Sequence, residues 1–253
     1  MQVDVMDPAR ARALQVALGA SATLDTGDSL PPFFHQLYFW EPAVPAELGR
    51  DGHPRVGGLI PDMGLPRRMW AGGRLEFNAP LRLGTAAEKL SVCERAERKV
   101  GRSGDLAVVT LRHEISQDGK LRVTEWQDLV YRAEADAQAP RPVAPVARTD
   151  EDNCRKVDFD ATLLFRYSAL TFNGHRIHYD QPYARDVEGY DGLVVHGPLL
   201  AQLLMLEAGE INRFSYKATA PLMHHERAEI CRKGTDLWVR GADGRQCMVA
   251  TSG

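Results

Sequence analysis

Residues 165–206 read FRYSALTFNGHRIHYDQPYARDVEGYDGLVVHGPLLAQLLML, and their second part is the most continuously apolar run in the chain. Leu199, Leu200, Leu203, Leu204, Met205 and Leu206 fall nearly all round a helix predicted over residues 198–211. A helix apolar on every side has no face for water, so it must be buried. Pro198 suits the first helical position, where its missing amide costs nothing. Just ahead of this helix, Asn173, His175, His178 and His196 crowd into a turn punctuated by glycines. Imidazoles and an amide beside the N-terminus of a buried helix make a candidate site.

Working outward, Asp160 is a natural cap for a helix over residues 161–170, with Leu163, Tyr167 and Leu170 on one face. After the buried helix come strand-like segments at 214–222, 227–231, 237–240 and 246–251, with an Asp243-Gly244 turn before the last. One buried helix followed by antiparallel strands is an α+β layer, the sheet wrapped around the helix. Upstream, residues 134–151 are proline-rich without an apolar period, a linker by composition. Before the linker the pattern is again strand-like. Leu75 and Phe77 alternate with polar neighbours, residues 88–98 are charged and alternating, and a turn is predicted at 101–104. Strands at 106–115 and 123–131 flank Gln117-Asp118-Gly119, a hairpin signal. A first helix is predicted over residues 8–18, capped by Asp7, and a buried strand over residues 33–40. Residues 41–68, rich in Pro and Gly, are long for a loop in a compact domain, which points to function or poor order. Two halves of similar size joined by a stiff linker suggest a duplicated unit.

Composition excludes several classes. A net charge of −3 supplies no basic field for nucleic acid. No apolar run reaches the length of a membrane span, and the first residues, MQVDVMDPARARALQ, have no apolar signal core, so a cytoplasmic location is expected. Cys93, Cys154, Cys231 and Cys247 form no CxxC pair and read as reduced, structural thiols.

Two chemistries fit the histidines. His175 and His178 have ligand-like spacing and His196 could complete three imidazoles around a metal. Proton transfer is favoured, because no Cys is near and no third ligand lies at helical i+4 spacing. An imidazole takes and returns a proton near neutral pH. The Gly197 amide, at the positive end of the helix, can hold a developing oxyanion. No GxSxG occurs, so a serine nucleophile is not indicated.

Asn173-Gly174-His175-Arg176-Ile177-His178-Tyr179-Asp180, followed by Val195-His196-Gly197, resembles the signature of the MaoC-like (R)-specific enoyl-thioester hydratases and dehydratases. YSALTFNGHRIHYD and GLVVHGPL are most similar to the branch of type 2 hydroxyacyl-thioester dehydratases and mesaconyl- and itaconyl-CoA hydratases. MWAGGRLEF, GRSG and TLRHEI extend the likeness to the first half. The resemblance implies a double hotdog whose first unit is degenerate. Residues 1–133 would form a non-catalytic hotdog that shapes the substrate pocket, 134–152 the linker, and 153–253 the catalytic hotdog.

It further implies a hydro-lyase acting on the 2,3-bond of an acyl thioester, a short methyl-branched enoyl-CoA of the mesaconyl or itaconyl type being the expected substrate. His178 would be the catalytic base, the Gly197 amide would polarise the thioester, and Asn173 would hold water or substrate. Tyr167, His175, Arg176, Arg166 and His196 are the candidate substrate-binding residues, and Arg67 and Arg68 are further candidates for a substrate carboxylate. The partner is a small-molecule acyl-CoA, with no metal or separate cofactor, no nucleic acid and no membrane, and a homodimer as the oligomer to test. One departure matters: the family's catalytic acid position holds Asn173, and an amide cannot abstract a proton. The alternatives are a dehydratase of fatty-acid synthesis, a hotdog thioesterase or an inactive acyl-CoA binder. A thioesterase of this fold would carry a carboxylate near the start of the central helix, where the first acid is Glu207. Because residues 57–69 lack a helix-forming pattern, the acyl group is expected between the two halves.

Overall fold

The computed structural model describes residues 1–101, 104–134 and 143–253. Part of the predicted 101–104 turn and residues 135–142 of the predicted linker lie outside them. In the first half the elements are β1 (Gln2–Val5), α1 (Pro8–Ala17), β2 (Arg67–Phe77), β3 (Ala86–Gly101), β4 (Gly104–Gln117) and β5 (Lys120–Arg132). The second half holds β6 (Asn153–Asp158), α2 (Ala161–Thr171), α3 (Gly197–Ala208), β7 (Arg213–Ala218), β8 (Arg227–Lys233), β9 (Asp236–Gly241) and β10 (Gln246–Ser252). All ten strands belong to one antiparallel sheet, ordered β1-β3-β4-β5-β2-β7-β10-β9-β8-β6. No helix among the described residues is long and apolar enough to cross a membrane.

Local chemistry accounts for most boundaries. Asp118 and Gly119 both have left-handed φ, 52° and 69°, the two-residue turn that matches strand twist, so β4 and β5 close as predicted. Asp7 accepts from the Ala9 amide and Asp160 from the Leu163 amide, starting α1 and α2 as read. α3 ends at Ala208, three residues short of the predicted end, with Gly209 (φ 81°) capping it. The first-half strands are longer than expected, and β1, too short to show alternation, went unread.

The predicted strand over residues 33–40 is a correction. Residues 34–37 form a 3-10 turn, and Phe33 and Phe39 on either side have positive φ. A consecutive apolar run does not distinguish a strand from a short buried helical turn. Here Phe33, Phe34, Leu37, Tyr38 and Phe39 are all buried because the knot plugs the concave face of the first half, against Leu75, Ile115 and Val123. Farther along that face Ile60, Met63 and Leu65, from the long loop, cover Ala107, Val109 and Leu129. No helix occupies residues 57–66. Between the two apolar covers His35 and Gln36 bond the buried Glu125 carboxylate.

In the second half α3 fills the sheet's concavity, with Pro198, Leu199, Leu200, Ala201, Gln202, Leu203, Leu204, Met205 and Ala208 buried. Its one polar core side chain, Gln202, donates to the Pro32 carbonyl and so ties α3 to the aromatic knot. Cys154 and Cys231, distant in sequence, are register partners with Sγ atoms 3.0 Å apart. The last part of the predicted linker is docked, with Ala147 buried against Trp238.

The halves meet at β2 and β7, where Gly73 faces Tyr216. A Cβ on Gly73 would stand 2.5 Å from the Trp126 carbonyl oxygen, and one on Gly72 2.6 Å from that of Tyr216. Only glycine lets three backbones come this close. Gly73→Val is therefore expected to destabilise the fold by about 1–3 kcal/mol, read as a lower urea midpoint; an unchanged midpoint would show that the strands yield.

Candidate active site

The turn after α2 begins at Phe172, whose left-handed backbone (φ 52°) stops the helix. Asn173 Oδ1 accepts from the His175 amide at 3.0 Å, which shapes the turn, and residues 176–178 make a single 3-10 turn. This presents His175 and His178 inward, both buried. His178 Nδ1 lies 2.7 Å from the Val194 carbonyl oxygen. A carbonyl only accepts, so Nδ1 carries the proton and Nε2 is left as a free lone pair.

His178 stacks on His196, ring centroids 3.6 Å apart. His196 is the residue just before α3; its Nε2 pairs with Ser168 Oγ at 2.8 Å, and Tyr167 stands edge-on at 4.9 Å. The Tyr167 hydroxyl and His196 Nδ1 are buried without a hydrogen-bond partner among the described residues. Gly197 opens α3 beside them, close to the Trp70 carbonyl of β2. The first amides of a helix have no partner within it and lie at the positive end of its dipole, and His196 occupies that end of α3.

The long loop reaches this site from the first half. Gly52 lies so close to the Gly174 carbonyl that a Cβ would sit 2.0 Å from its oxygen, and the Arg176 amide donates to the Asp51 carbonyl at 2.8 Å. This contact lays His53 over His175, with ring centroids 4.8 Å apart; His175 in turn meets His178 edge-on at 5.4 Å. His53 was missed in the sequence because its loop has no periodicity. The loop's length was the only signal.

Burial keeps these imidazoles neutral. It pushes His178 down to about 4, with the Val194 bond opposing, and His175 down to about 2, helped by the nearby His178 ring and the Arg68 charge. His53 and His196 are also well below the usual histidine range, chiefly through burial. With Nδ1 of His178 given to a carbonyl and Nε2 of His196 to a hydroxyl, the cluster is arranged as a base and its support. Among the described residues only Glu151, Cys154 and Cys231 bring three ligand atoms within 4.8 Å of one another, and they lie on and before β6 and on β8, away from the turn.

Of the predicted site residues, the fold unites Asn173, His175, His178, His196, Gly197 and Tyr167. It does not bring in two others. Arg176 is committed at the rim to Asp180, the Arg50 carbonyl and the face of Tyr183. Arg166 is exposed on the outer side of α2, beside Ala17 and Asp158. Both follow from helical and turn geometry, which sends neighbours of an inward residue outward.

The sheet-wrapped helix of the second half, joined to a helix-poor first half, defines the double-hotdog class. HtdX of Mycobacterium tuberculosis superposes with a TM-score of 0.71 at 15% identity, covering 100% of this chain and 98% of that one. A conserved M. tuberculosis protein described as a double hotdog superposes at 0.59 with 13% identity, covering 99% and 92%. The family described as Hydroxyacyl-thioester dehydratase type 2 matches over residues 33–224, and the chain belongs to it. A Mesaconyl-C(4)-CoA hydratase of Chloroflexus aurantiacus is 44% identical over 94% of this chain and 91% of its own length.

The buried histidines have a consequence for stability. Below pH 6.5 the unfolded chain binds protons at these imidazoles while the folded chain does not, so stability is expected to fall as pH drops from about 6.5 toward 4. His178 alone accounts for on the order of 3 kcal/mol of that loss. Urea denaturation between pH 7 and 4.5 should show a shallower slope in His178→Gln than in the wild type; equal slopes would place the acid sensitivity elsewhere.

Proposed function

We propose that this protein is a hydro-lyase that adds water across, or removes it from, the 2,3-bond of an acyl-CoA thioester, a short methyl-branched enoyl-CoA of the mesaconyl type being the substrate. The observation that carries this reading is the His178 tautomer, a bare Nε2 on a ring stacked against His196, the residue just before α3. In the hydration direction Nε2 takes a proton from water as the oxygen bonds to C3. The electron pair of the double bond moves toward the thioester carbonyl, whose developing negative charge meets the Gly197 amide and the α3 dipole. His178 then returns the proton to C2, so one water is consumed and the imidazole is restored. Dehydration is the same path reversed, which accommodates the activity in the family's description.

Asn173 contributes without acting as a base. Its Oδ1 is spent on the turn, and its Nδ2 remains to orient the water. The first half supplies the other wall of the site through Trp70, His53 and the aromatic knot, consistent with a non-catalytic unit that shapes the pocket. A thioesterase is disfavoured by Glu207, which bonds Asn153 and Arg155 and stands about 15 Å along α3 from Gly197.

Incubation with mesaconyl-C4-CoA is expected to remove the enoyl-thioester absorbance without releasing free thiol; free thiol would instead indicate hydrolysis. His178→Ala should lower turnover by about two to four orders of magnitude, and near-normal turnover in a folded variant would exclude His178 from the chemistry. Asn173→Ala is expected to reduce kcat as well as loosen the turn, whereas unchanged kinetics would leave Asn173 a turn residue only.

A further inference from the structure

Among the arginines around the site, Arg68 has a distinct standing. Arg67 is paired with the buried Glu188, and Arg176 with Asp180. The half-buried Arg68 guanidinium has no hydrogen bond or ion pair with any described residue. Asp51 is its acidic neighbour, yet that carboxylate accepts from the His53 amide instead. A desolvated cation without a counter-ion is costly, and a bound anion would offset that cost.

A second, independent observation lies on the adjacent strand. Arg68 is the register partner of Tyr131 in β5. Tyr131 is 4% exposed, and its hydroxyl is buried with no hydrogen-bond partner among the described residues. Both side chains project from the concave face, since β5 residues of the same parity, Leu129 and Val123, are core. The same guanidinium acts electrostatically on His53 and His175. The rings of these two residues are packed together, and neither has a hydrogen-bond partner on its ring nitrogens among the described residues. An arginine fork, a phenol and two neutral imidazoles, all with unused donors, therefore converge on one spot.

Its distance from the reacting centre limits the ligand. Gly197 abuts Trp70, and Arg68 is two residues along β2 on the same face, roughly 7 Å away. An acid carbon three bonds from a thioester carbon lies about 4 Å from it, and the arginine side chain spans the remainder. Resting on the hydratase reading above, we propose that Arg68, with Tyr131 Oη, His53 and His175, binds a free carboxylate carried on the acyl chain. The site thereby selects short unsaturated diacid thioesters over simple enoyl thioesters. The phosphates of CoA are the other possible source of an anion, but they are hydrated and belong at the mouth, whereas Tyr131 and His175 are buried.

Two measurements test this. The ratio of kcat/KM for mesaconyl-C4-CoA over crotonyl-CoA, which share the CoA moiety, is expected to fall about 10- to 100-fold in Arg68→Met, mainly through KM. Equal losses on both substrates would assign Arg68 to the CoA phosphates, and an unmoved ratio with no loss would make it a surface charge; either overturns the proposal. Calorimetric binding to the wild type needs neither turnover nor a variant, and succinyl-CoA should bind at least tenfold more tightly than butyryl-CoA. Equal affinities overturn the carboxylate site. Diacid-selective binding without hydration of any enoyl-CoA would instead overturn the hydratase reading and leave the carboxylate site standing.

Discussion

The structure depends on burying α3. A helix apolar on nearly every side cannot rest on a flat sheet, so β7–β10 curl around it and β2 and the aromatic knot of the first half close most of the remaining side, leaving Leu206 exposed. Each leucine buried in this way contributes about 1.5–3 kcal/mol relative to exposure, so a half-covered α3 would be costly. That requirement fixes the position of the helix N-terminus. His196 and Gly197 enter the interior because Leu199 and Leu200 must.

The chemistry follows from this burial. Water-excluded imidazoles lose their charge, and a neutral imidazole whose Nδ1 proton is held by a carbonyl is a base on its other nitrogen. The same low-polarity surroundings strengthen the field of the α3 amides. Asn173, half-buried at the turn beside these groups, is a turn-shaping amide that carries no charge to desolvate.

The first half has a different task. Its concave face is filled by a knot of aromatics and by loop residues in place of a long helix, and the loop that results is free to cross to the other half. The glycine-to-glycine contact between positions 52 and 174 allows His53 to reach His175. An irregular cover lets the chain deliver side chains to a site built by another unit, which a regular helix anchored in its own sheet could not do.

Elements with strong local signals were legible in the amino-acid sequence. The all-apolar helix, the Asp-capped helices, the Asp-Gly hairpin and the strands after residue 213 each rest on periodicity or on a backbone preference within a few residues. The turn holding Asn173, His175 and His178, with the Gly197 helix start, was legible for the same reason. Tertiary structure alone decided that the halves share one sheet through β2 and β7, that residues 33–40 form a knot, and that Cys154 faces Cys231. It also decided that Arg68, and not Arg166 or Arg176, stands beside the histidines. Strand partners, the path of an aperiodic loop and the free or paired state of an arginine depend on residues far away in the chain, and no local pattern encodes them.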